Sequence, residues 1–369
     1  MNALTDIGRY QPLDETVPWN DRLQVLEVIA VTDEAPEVKT FTFRSEAQTW
    51  FRYKPGQFVT LELPTAEGPL MRTYTLSSSP SRPFSAAVTV KAQPGSIGTR
   101  WMFEHLKVGD RLKAFGPAGS FSHHDHPAEK YLFLSAGSGI TPMMSMLRWF
   151  NDCSPSADVA FINCARRPED ILFRRELELI AASMPGVALA FLVEERSRRE
   201  SWSGPLGRFD TLRLNLLAPD FADREVFCCG PEPFMQVVRE TLDASGFDMR
   251  RYHQESFSVG PAADLAATLG GMPEARSGVP CETALPVHFS LSNAAGECLG
   301  DQTVLEAARA CGVRIPAACE SGLCGTCKVR KLSGEVAMAH NGGILEDEIA
   351  QGFILACCSR PLCTVEIEA

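Results

Sequence analysis

The chain has 369 residues, of which 45% are hydrophobic, and this is enough for two or three domains with apolar cores. A net charge of -11 argues against nucleic acid or an anionic membrane surface as a partner. The chain shows no export signal and no spanning run of about 18 apolar residues. Its 13 cysteines are an odd number, so we expect a cytoplasmic protein without a disulfide framework.

Residues 1–20 are polar and broken by proline, which predicts an N-terminal arm without visible chemistry. Residues 21–125 consist of short alternating runs separated by turn signals such as Lys54–Gln57 and Gly116–Gly119. Several short strands at this spacing predict a closed antiparallel β-barrel. The expected strands are Leu26–Val31, Thr40–Phe43, Phe58–Leu63, Thr73–Leu76 and Ala87–Lys91.

The fourth of these strands carries the motif R-x-Y-T-x-x-S, which runs from Arg72 to Ser78. Arg72 and Tyr74 lie on one face of a strand, and Thr75 faces the other way. A guanidinium for a phosphate, a phenol ring to cover an aromatic ring system and a hydroxyl for a ring nitrogen together indicate a flavin site. Taken alone, an Arg-x-Tyr pair on a strand is more often an ordinary surface pair.

Two further segments of this region contain residues that could bind a ligand. Pro94–Thr99 precedes an amphipathic segment, Arg100–Leu106, that predicts a helix, and N–H groups at the helix start would hold a second phosphate. Ser122–Pro127 reads SHHDHP and contains three histidines. Adjacent histidines rarely converge on one ion without a scaffold, so we expect a solvated loop and no metal site there.

Residues 126–257 follow a different pattern, in which apolar strands alternate with helical periodicity. This predicts a parallel, doubly wound, Rossmann-like α/β domain. Met143, Met144 and Met146 recur at helical spacing and are predicted to be core residues, not ligands. The expected strands are Tyr131–Ser135, Val159–Asn163, Val187–Val193 and Glu225–Cys229, and a further helix is expected at Pro233–Ala244.

The first glycine turn of this domain, Gly137–Thr141 followed by Pro142, reads G-x-G-x-x-P. It would let a dinucleotide pyrophosphate approach a helix N-terminus, although it lacks the third glycine of the full motif. Cys229-Gly230-Pro231 ends the last of the expected parallel strands. Ligands of open α/β sheets bind at the carboxyl ends of strands, so Cys229 would line a nicotinamide pocket. The alternative is a buried thiol that caps the strand.

Residues 258–285 are rich in Ala, Gly and Pro and predict a linker. Residues 286–369 predict a small α+β domain, in which the expected elements are strand Val287–Ser292, helix Thr303–Cys311 and strand Leu362–Glu368. This domain contains the strongest motif of the chain.

Cys319, Cys324 and Cys327 are spaced C-x4-C-x2-C, the plant-type spacing for a 2Fe-2S cluster. Thiolates are soft ligands that suit iron. A short loop encloses two irons only where its backbone comes close, and Gly322 and Gly325 permit this because they have no Cβ.

A zinc site is the rival interpretation, but structural zinc usually takes two C-x2-C pairs and only one is present. The fourth ligand of a cluster would come from Cys357, Cys358 or Cys363. Successive side chains of a strand face opposite ways, so Cys357 and Cys358 cannot both reach the cluster.

The order of these motifs resembles the ferredoxin-NADP-reductase superfamily fused to a plant-type ferredoxin, over residues 22–369. Four segments look more narrowly like the reductase subunits of glycine betaine or stachydrine (proline betaine) Rieske monooxygenases. These segments are Arg251–Phe257, Cys324–Val329, His340–Ile344 and Cys357–Pro361. The NADH oxidoreductase that serves the hybrid-cluster protein is a close relative.

The resemblance implies a β-grasp ferredoxin domain and a role for each motif residue. It places Thr75 at the flavin N5, Cys229 and Glu255 near the hydride-transfer pair, and Phe257 near the isoalloxazine. Ser96 stands where many relatives have Gly. The implied flavin and nucleotide ligands are Arg72, Tyr74, Thr75, Ser78, Lys91, Ile97, Gly98, Thr99, Gly137, Ser138, Gly139, Ile140, Thr141, Cys229, Gly230, Pro231 and Phe257. The implied cluster ligands are Cys319, Cys324, Cys327 and Cys357, because Cys357 follows Leu-Ala as in plant-type ferredoxins.

A nicotinamide gives two electrons as hydride and a 2Fe-2S cluster takes one at a time, so a flavin is expected between them. The sequence therefore predicts an NAD(P)H-dependent flavin iron–sulfur oxidoreductase whose acceptor is an external Rieske-type oxygenase that demethylates a quaternary ammonium compound. FAD is expected in preference to FMN. NADH is expected in preference to NADPH, although five arginines suit a 2′-phosphate: Arg166, Arg167, Arg196, Arg198 and Arg199.

Two alternatives remain open. The first is a reductase for the hybrid-cluster protein or another acceptor. The second belongs to another class, a redox sensor or electron-carrying module without turnover, and the three intact cofactor motifs argue against it.

Overall fold

The computed structural model describes residues 18–19, 24–46, 49–66, 68–256, 284–299, 302–315, 317, 322, 325, 327–340, 344 and 346–369. The chain divides into two compact units, Met1–Leu70 with Tyr74–Phe257 and Ser258–Ala369 with Met71–Thr73. Every helix of the described residues is too short or too polar to span a bilayer. Most of the predicted arm and linker lies outside the described residues.

The first part of the larger unit is a barrel. Its elements are strands β1 Pro18–Trp19, β2 Gln24–Ala35, β3 Val38–Ser45, β4 Trp50–Phe51, β5 Phe58–Thr65, β6 Gly68–Thr75 and β7 Ala86–Lys91, helix α1 Ile97–His105, and strand β8 Arg111–Ala118. Six strands form an antiparallel sheet in the order β6-β5-β8-β2-β3-β7. An antiparallel bridge from Leu76 to Val88 joins the two ends of the sheet, and this confirms the predicted closed barrel. Short β1 pairs with β4 in parallel.

Two local predictions for the barrel were wrong. Gly116–Gly119 was expected to be a turn, but β8 continues through Gly116 to Ala118, paired with Phe58 of β5. A register shift lies at this point, and Gly116 has φ of +110° with its missing Cβ 3.2 Å from the Phe58 carbonyl oxygen. Glycine therefore lets the strand bulge without ending. Helix α1 also begins three residues before the predicted Arg100, because Ser96 caps it.

The second part of the larger unit is a parallel sheet. Its strands are β9 Lys130–Ala136, β10 Asp158–Ala165, β11 Val187–Val193, β12 Glu225–Cys229 and β13 Tyr252–Glu255. Its helices are α2 Ile140–Cys153, α3 Arg174–Ser183, α4 Thr211–Leu217 and α5 Glu232–Ala244. The strand order is β11-β10-β9-β12-β13 and every pairing is parallel, as predicted. The edge strand β13 was not predicted, because Tyr-His-Gln-Glu has no apolar run.

The apolar faces of this sheet fill two cores, one on each side. Met143, Met144 and Met146 of α2 are fully buried in the first of them, which confirms that they are core residues. Their burial fixes the N-terminal end of α2 against the carboxyl ends of β9 and β12, where the candidate site lies.

The smaller unit is a mixed sheet with a helix packed on it. Its elements are strands β14 Leu285–Phe289 and β15 Ala294–Cys298, helix α6 Val304–Ala310, strands β16 Lys328–Ser333 and β17 Val336–Met338, helix α7 Glu346–Ala350, and strands β18 Phe353–Leu355, β19 Ser359–Pro361 and β20 Val365–Glu368. The main sheet has the order β15-β14-β20-β16-β18, and β17 pairs with β19. A capping box between Thr303 and Glu306 begins α6. The predicted strand Val287–Ser292 ends earlier, at Phe289, where a turn follows.

Candidate functional site

The three predicted catalytic residues lie together although they are far apart in sequence. Thr75 ends β6 of the barrel, while Cys229 and Glu255 end β12 and β13 of the parallel sheet. The Thr75 Oγ1 donates a hydrogen bond to Glu255 Oε2 at 3.2 Å. Cys229 and Glu255 are register partners on adjacent strands. The barrel and the carboxyl edge of the parallel sheet therefore meet at these three side chains.

The glycine turn packs against the same edge. A Cβ on Gly139 would lie 2.2 Å from the Cys229 carbonyl oxygen, so only glycine permits this approach. Gly137 has φ of +55°, and the Thr141 hydroxyl donates to the Ser138 carbonyl at 3.1 Å. The turn leads directly into α2 at Ile140. A tight turn beside a helix N-terminus, at the carboxyl ends of parallel strands, fits a pyridine dinucleotide.

A second glycine narrows the crevice further. A Cβ on Gly230 would lie 2.8 Å from the Phe234 ring and 3.1 Å from the Ala136 Cβ. Pro231, the next residue, is exposed and precedes α5. The predicted Cys-Gly-Pro segment thus lies directly beside the glycine turn at the carboxyl edge of the sheet.

Burial sets the proton state of both acidic groups in the crevice. Burial raises the pKa of the Glu255 carboxyl from 4.5 to about 8, and the Thr75 hydrogen bond opposes that rise. Burial, followed by the nearby Glu255 carboxylate, raises the pKa of the Cys229 thiol well above its usual value. Cys229 is fully buried and is therefore a neutral thiol at neutral pH. A thiol, a hydroxyl and a carboxyl whose charge changes near pH 8 suit the reacting faces of a flavin and a nicotinamide.

The barrel supplies the predicted flavin ligands from one strand and the loop after it. Arg72 and Tyr74 are half-buried on β6, and Arg72 Nη1 donates to the Met71 carbonyl at 2.8 Å. Ser78 is occupied in holding the loop, because its Oγ accepts from the Ala87 N–H at 2.9 Å and shares a hydrogen bond with the Tyr53 hydroxyl at 2.7 Å.

Lys91 ends β7 and lines a small pocket together with Gly137, so a predicted flavin ligand lies beside the glycine turn. The predicted phosphate site at the start of α1 has one free backbone N–H donor fewer than expected, because that of Thr99 is already hydrogen-bonded. The Thr99 N–H donates to the Ser96 Oγ at 3.4 Å, and the Thr99 hydroxyl accepts from the Gln93 N–H. The N–H groups of Ile97 and Gly98 precede the first intrahelical bond and are the remaining candidate donors.

Sequence reasoning missed two residues that join the barrel to the nucleotide domain. Ser145 Oγ donates to the Ser78 carbonyl at 2.6 Å, and Arg148 Nη1 donates to the Ser77 carbonyl. Arg148 also pairs with Glu176 at 2.6 Å. Both residues lie on α2, three residues apart and among buried methionines, so a polar pair on an apolar helix face was the available signal. They hold the end of the R-x-Y-T-x-x-S motif against α2.

The candidate cluster loop is described in part, since Cys319 and Cys324 lie outside the described residues, as does Phe257. Gly322 and Gly325 have φ of +72° and +71°, a backbone conformation that favours glycine. Cys327 and Cys357 are both buried, and the Cys357 N–H lies 3.5 Å from the Cys327 Sγ. Side-chain hydrogen bonds of the Cys357 thiol with Cys327 and then with Cys358 lower its pKa, which favours the thiolate that binds metal.

The two rival thiols both lie near carbonyl oxygens, and that of Cys358 also contacts the Cys357 thiol. Cys358 Sγ lies 3.7 Å from the Leu355 carbonyl oxygen, and Cys363 is exposed with its Sγ 3.4 Å from the Thr364 carbonyl oxygen. Thiol ligands and positive-φ glycines fit a 2Fe-2S cluster, and Cys357 stays the predicted fourth ligand.

The prediction of a solvated loop at the three histidines was wrong for His123. His123 is only 4% exposed, and its ring lies 4.3 Å from that of Phe150 and 4.9 Å from that of Trp149, centroid to centroid. Burial lowers its pKa to about 3, so the ring is neutral. The aromatic end of α2 covers this segment, and that contact is not visible in the sequence. His124 is exposed, as predicted.

Three family models match the chain and cover most of it. An oxidoreductase FAD-binding domain matches residues 25–123, an oxidoreductase NAD-binding domain matches residues 133–240, and a 2Fe-2S iron-sulfur cluster binding domain matches residues 293–362. FAD is therefore the flavin. The domains follow one another in the order that the motifs predicted: barrel, nucleotide domain and iron–sulfur domain.

The chain is 50% identical over 351 residues to a stachydrine N-demethylase reductase subunit of Rhizobium meliloti, with 95% of this chain and 98% of that one covered. It is 43% identical over 359 residues to a glycine betaine monooxygenase reductase subunit of Pseudomonas aeruginosa, with 96% and 97% covered. The NADH oxidoreductase HCR of Escherichia coli is 31% identical over 346 residues, with 94% and 98% covered.

Among solved structures, phthalate dioxygenase reductase has a TM-score of 0.59 at 23% identity, with 95% of this chain and 98% of that chain covered, and so shares the fold. Three cofactor-domain models match the chain, and its relatives are similar to it over nearly their full length. The chain therefore belongs to the family of FAD- and 2Fe-2S-containing oxidoreductases that includes the reductase subunits of monooxygenases.

Proposed function

We propose that the chain passes electrons from NADH through FAD and a 2Fe-2S cluster to the oxygenase component of a Rieske-type monooxygenase that demethylates a quaternary ammonium compound. The observation that carries the reductase activity is the meeting of Thr75, Cys229 and Glu255 at the glycine turn. The choice of partner rests on two relatives. The chain is 50% identical to a stachydrine N-demethylase reductase subunit and 43% identical to a glycine betaine monooxygenase reductase subunit. A reducing compartment, the cytoplasm, suits its thiol ligands.

FAD held at this edge would supply hydride acceptance combined with one-electron release, a chemistry that neither protein side chains nor the cluster supply. Thr75 Oγ1 donates to Glu255 and so brings a barrel hydroxyl to the carboxyl edge of the parallel sheet. Cys229, as a neutral thiol, presents a small polarisable surface to a nicotinamide ring without adding charge. Gly139 and Gly230 let the glycine turn and the end of β12 pack closely together, because a Cβ at either position would meet neighbouring atoms.

The preference for NADH over NADPH has an electrostatic basis. Arg166 and Arg167 follow β10 at the carboxyl edge of the sheet, where α/β nucleotide domains recognise the adenosine ribose. Glu195 lies beside both, with Arg167 Nη2 3.2 Å from its Oε2 and Arg166 Nε 3.9 Å from its Oε1. A 2′-phosphate would compete with this carboxylate for the arginines and be repelled by it. A ribose hydroxyl carries no such cost.

The experiment is an anaerobic titration of the holoprotein with NADH, followed by mixing with the oxygenase component of either a stachydrine or a glycine betaine monooxygenase. Flavin and cluster absorbance are followed first, and the oxygenase Rieske signal second. We expect both centres to bleach and the Rieske centre of one oxygenase to be reduced. Bleaching without transfer to either oxygenase would leave the reductase activity standing and overturn the proposed partner. Cys327→Ser is the control, because it should keep flavin bleaching and lose transfer.

A second candidate acceptor is the hybrid-cluster protein, because HCR is also a full-length relative at 31% identity. The same reduced protein, mixed with the hybrid-cluster protein under identical conditions, separates the two. Faster electron transfer to the hybrid-cluster protein than to both oxygenases would favour this alternative. A chain that reduced no protein and no artificial acceptor at a useful rate would instead be a sensor or a carrier module.

A further inference from the structure

One of the three histidines of residues 122–127 and two strands of the nucleotide domain bring together a side-chain cluster that the electron path does not use. His126 lies in the segment between β8 and β9, Glu225 is the first residue of β12, and His253 is the second of β13. One potential ligand atom from each lies within 4.8 Å of the other two. We propose that His126, Glu225 and His253 bind a divalent transition-metal ion, with zinc as the preferred metal.

The ligand set has the chemistry of zinc. Two imidazole nitrogens and one carboxylate oxygen leave a fourth position of a tetrahedron for water, and zinc accepts this set. Magnesium and calcium prefer oxygen ligands throughout, so they fit the cluster poorly. Zinc has no redox chemistry, so an ion here would be separate from the electron path and would act on structure.

The backbone holds two ligands on one face before any ion arrives. Phe227 and His253 are register partners on the parallel strands β12 and β13, and Glu225 lies two residues before Phe227. Residues two apart on a strand share a face, so Glu225 and His253 point the same way. Their side chains already meet, with His253 Nε2 2.6 Å from Glu225 Oε1.

The third ligand is positioned by ring stacking. The His126 and His253 rings lie 3.6 Å apart between centroids with an interplanar angle of 21°. Phe227 flanks both imidazoles, at 6.0 Å from His126 and 5.1 Å from His253. His253 Nε2 already faces the carboxylate, and rotation of the His126 ring about its side-chain bonds would turn one of its nitrogens the same way.

A neighbouring arginine orients the carboxylate in the manner of outer-shell partners of metal sites. Arg251 Nε donates to Glu225 Oε2 at 3.3 Å, which leaves Oε1 for the cluster. The arginine is itself held by the carbonyl oxygens of Ala222 and Asp223, at 2.9 and 2.7 Å. Glu225 therefore keeps its orientation whether or not an ion is present.

Little movement separates the present geometry from a loaded site. Ligand atoms about 2.0 Å from a tetrahedral ion lie about 3.3 Å from one another. The contact between His253 and Glu225 must open from 2.6 Å by less than an ångström, which side-chain rotation supplies. Both side chains are 15% exposed, so an ion reaches them from solvent.

An ion at this site would tie the segment that leaves the barrel to β13. His253 lies two residues before Glu255 on that strand, so the strand that carries the candidate catalytic carboxyl would gain a fixed anchor. Strand β13 lies at the edge of the sheet and is paired on one side with β12, so such an anchor would stabilise the position of this edge strand.

The test is zinc K-edge X-ray absorption on the holoprotein that has been given one equivalent of Zn²⁺, together with calorimetric titration. We expect a first shell of nitrogen and oxygen at about 2.0 Å with imidazole scattering. A first shell dominated by sulfur at about 2.3 Å would mean that cysteines hold the ion, and would overturn the proposal. Titration with Mg²⁺ should give no binding heat.

His126→Ala is the informative variant, because it removes a ligand and leaves the Glu225–His253 pair in place. We expect its zinc affinity to fall about tenfold or more relative to the unaltered protein, since one of three protein ligands is gone. The matched control is His124→Ala, an exposed neighbouring histidine outside the cluster, which should bind as the unaltered protein does. Equal affinities in all three proteins would overturn the proposal. Flavin and cluster content confirm that each variant is folded.

Discussion

The Thr75 hydroxyl donates a hydrogen bond to the Glu255 carboxylate across 180 residues of sequence, and this contact joins the last residue of a barrel strand to the last residue of a parallel strand. It places a flavin-motif residue beside the register partner of Cys229. The contact therefore ties the two candidate halves of the hydride-transfer site to each other.

Removing the Thr75 hydroxyl should slow the reductive step. We expect Thr75→Ala to reduce the rate of flavin reduction by NADH by about 10- to 100-fold at a pH above 8, where Glu255 is ionised, because a hydrogen bond to a charged group contributes about 1.5–3 kcal/mol. Thr75→Ser is the matched control, since it keeps the hydroxyl and should stay within about threefold of the unaltered rate. Stopped-flow absorbance of the flavin gives both rates. A serine variant as slow as the alanine variant would contradict a role for the hydroxyl.

The raised pKa of Glu255 makes stability depend on pH. The folded protein keeps a proton on this carboxyl up to about pH 8, whereas the unfolded chain releases it near pH 4.5. Folding therefore binds a proton in this window, and the free energy of unfolding should fall as the pH rises from 4.5 to about 8.

Glu255→Gln removes that titration and should flatten the dependence, as measured by urea denaturation at several pH values. Thr75→Ala provides a second check. It deletes the hydrogen bond that lowers the pKa of Glu255, so the window should extend to higher pH. An identical pH dependence in all three proteins would show that another group titrates.

The Glu195 carboxylate should govern cofactor preference. We expect Glu195→Gln to raise kcat/KM for NADPH by about tenfold with little change for NADH, because Arg166 and Arg167 become available to a 2′-phosphate. Arg167→Ala made in the Glu195→Gln protein should reverse the gain. Steady-state kinetics with both nucleotides at fixed ionic strength measures the change. A loss of NADH activity in Glu195→Gln would mean that the carboxylate binds the ribose directly.

The fourth cluster ligand is testable by three matched variants. We expect Cys357→Ser to lower the cluster content per flavin by about tenfold or more, as read from visible absorption and electron paramagnetic resonance, with flavin retained. Cys358→Ser and Cys363→Ser should keep the cluster, because their thiols contact the carbonyl oxygens of Leu355 and Thr364 and serine keeps a donor for each. Loss of the cluster in Cys358→Ser with retention in Cys357→Ser would reverse the assignment.

Arg148 should carry more stability than a surface arginine. Its side chain is 15% exposed and joins Ser77 to Glu176, so Arg148→Ala should lower the free energy of unfolding by about 2–3 kcal/mol. The control is Arg82→Ala, whose partner is Asp152 and whose side chain is 67% exposed, and its cost should be under about 1 kcal/mol. Chemical denaturation measures both. Equal losses would show that the contact to the Ser77 carbonyl contributes little.

Several features of the fold could be predicted because their causes are local. The strand pattern around Thr40–Phe43, the apolar runs of the parallel strands and the helical spacing of Met143 and Met146 each follow from a period of two or of 3.6. The prediction failed where pairing with a strand that is distant in sequence decides the secondary structure. Gly116 stays in β8 because β5 pairs with the residues on both sides of it, and β13 is a strand because β12 pairs with it.

The candidate site divides in the same way. The type and spacing of motif residues indicate which cofactor they bind, as in the C-x4-C-x2-C run and the Arg-x-Tyr-Thr strand. Ser145 and Arg148 carry no such signal, since their partners are the carbonyl oxygens of Ser77 and Ser78 in another part of the larger unit. Any residue type presents a carbonyl, so the sequence does not mark that partner.

The sequence by itself determined which three cofactor domains the chain contains and their order, because each binding motif is a short segment whose residue types and spacing carry the chemistry. Only the tertiary structure decided that Thr75 meets Glu255, that His123 is buried under Trp149 and Phe150, and that His126 stacks on His253. These contacts join residues from separate elements. Their geometry depends on strand register and helix packing over the whole unit, which no local pattern encodes.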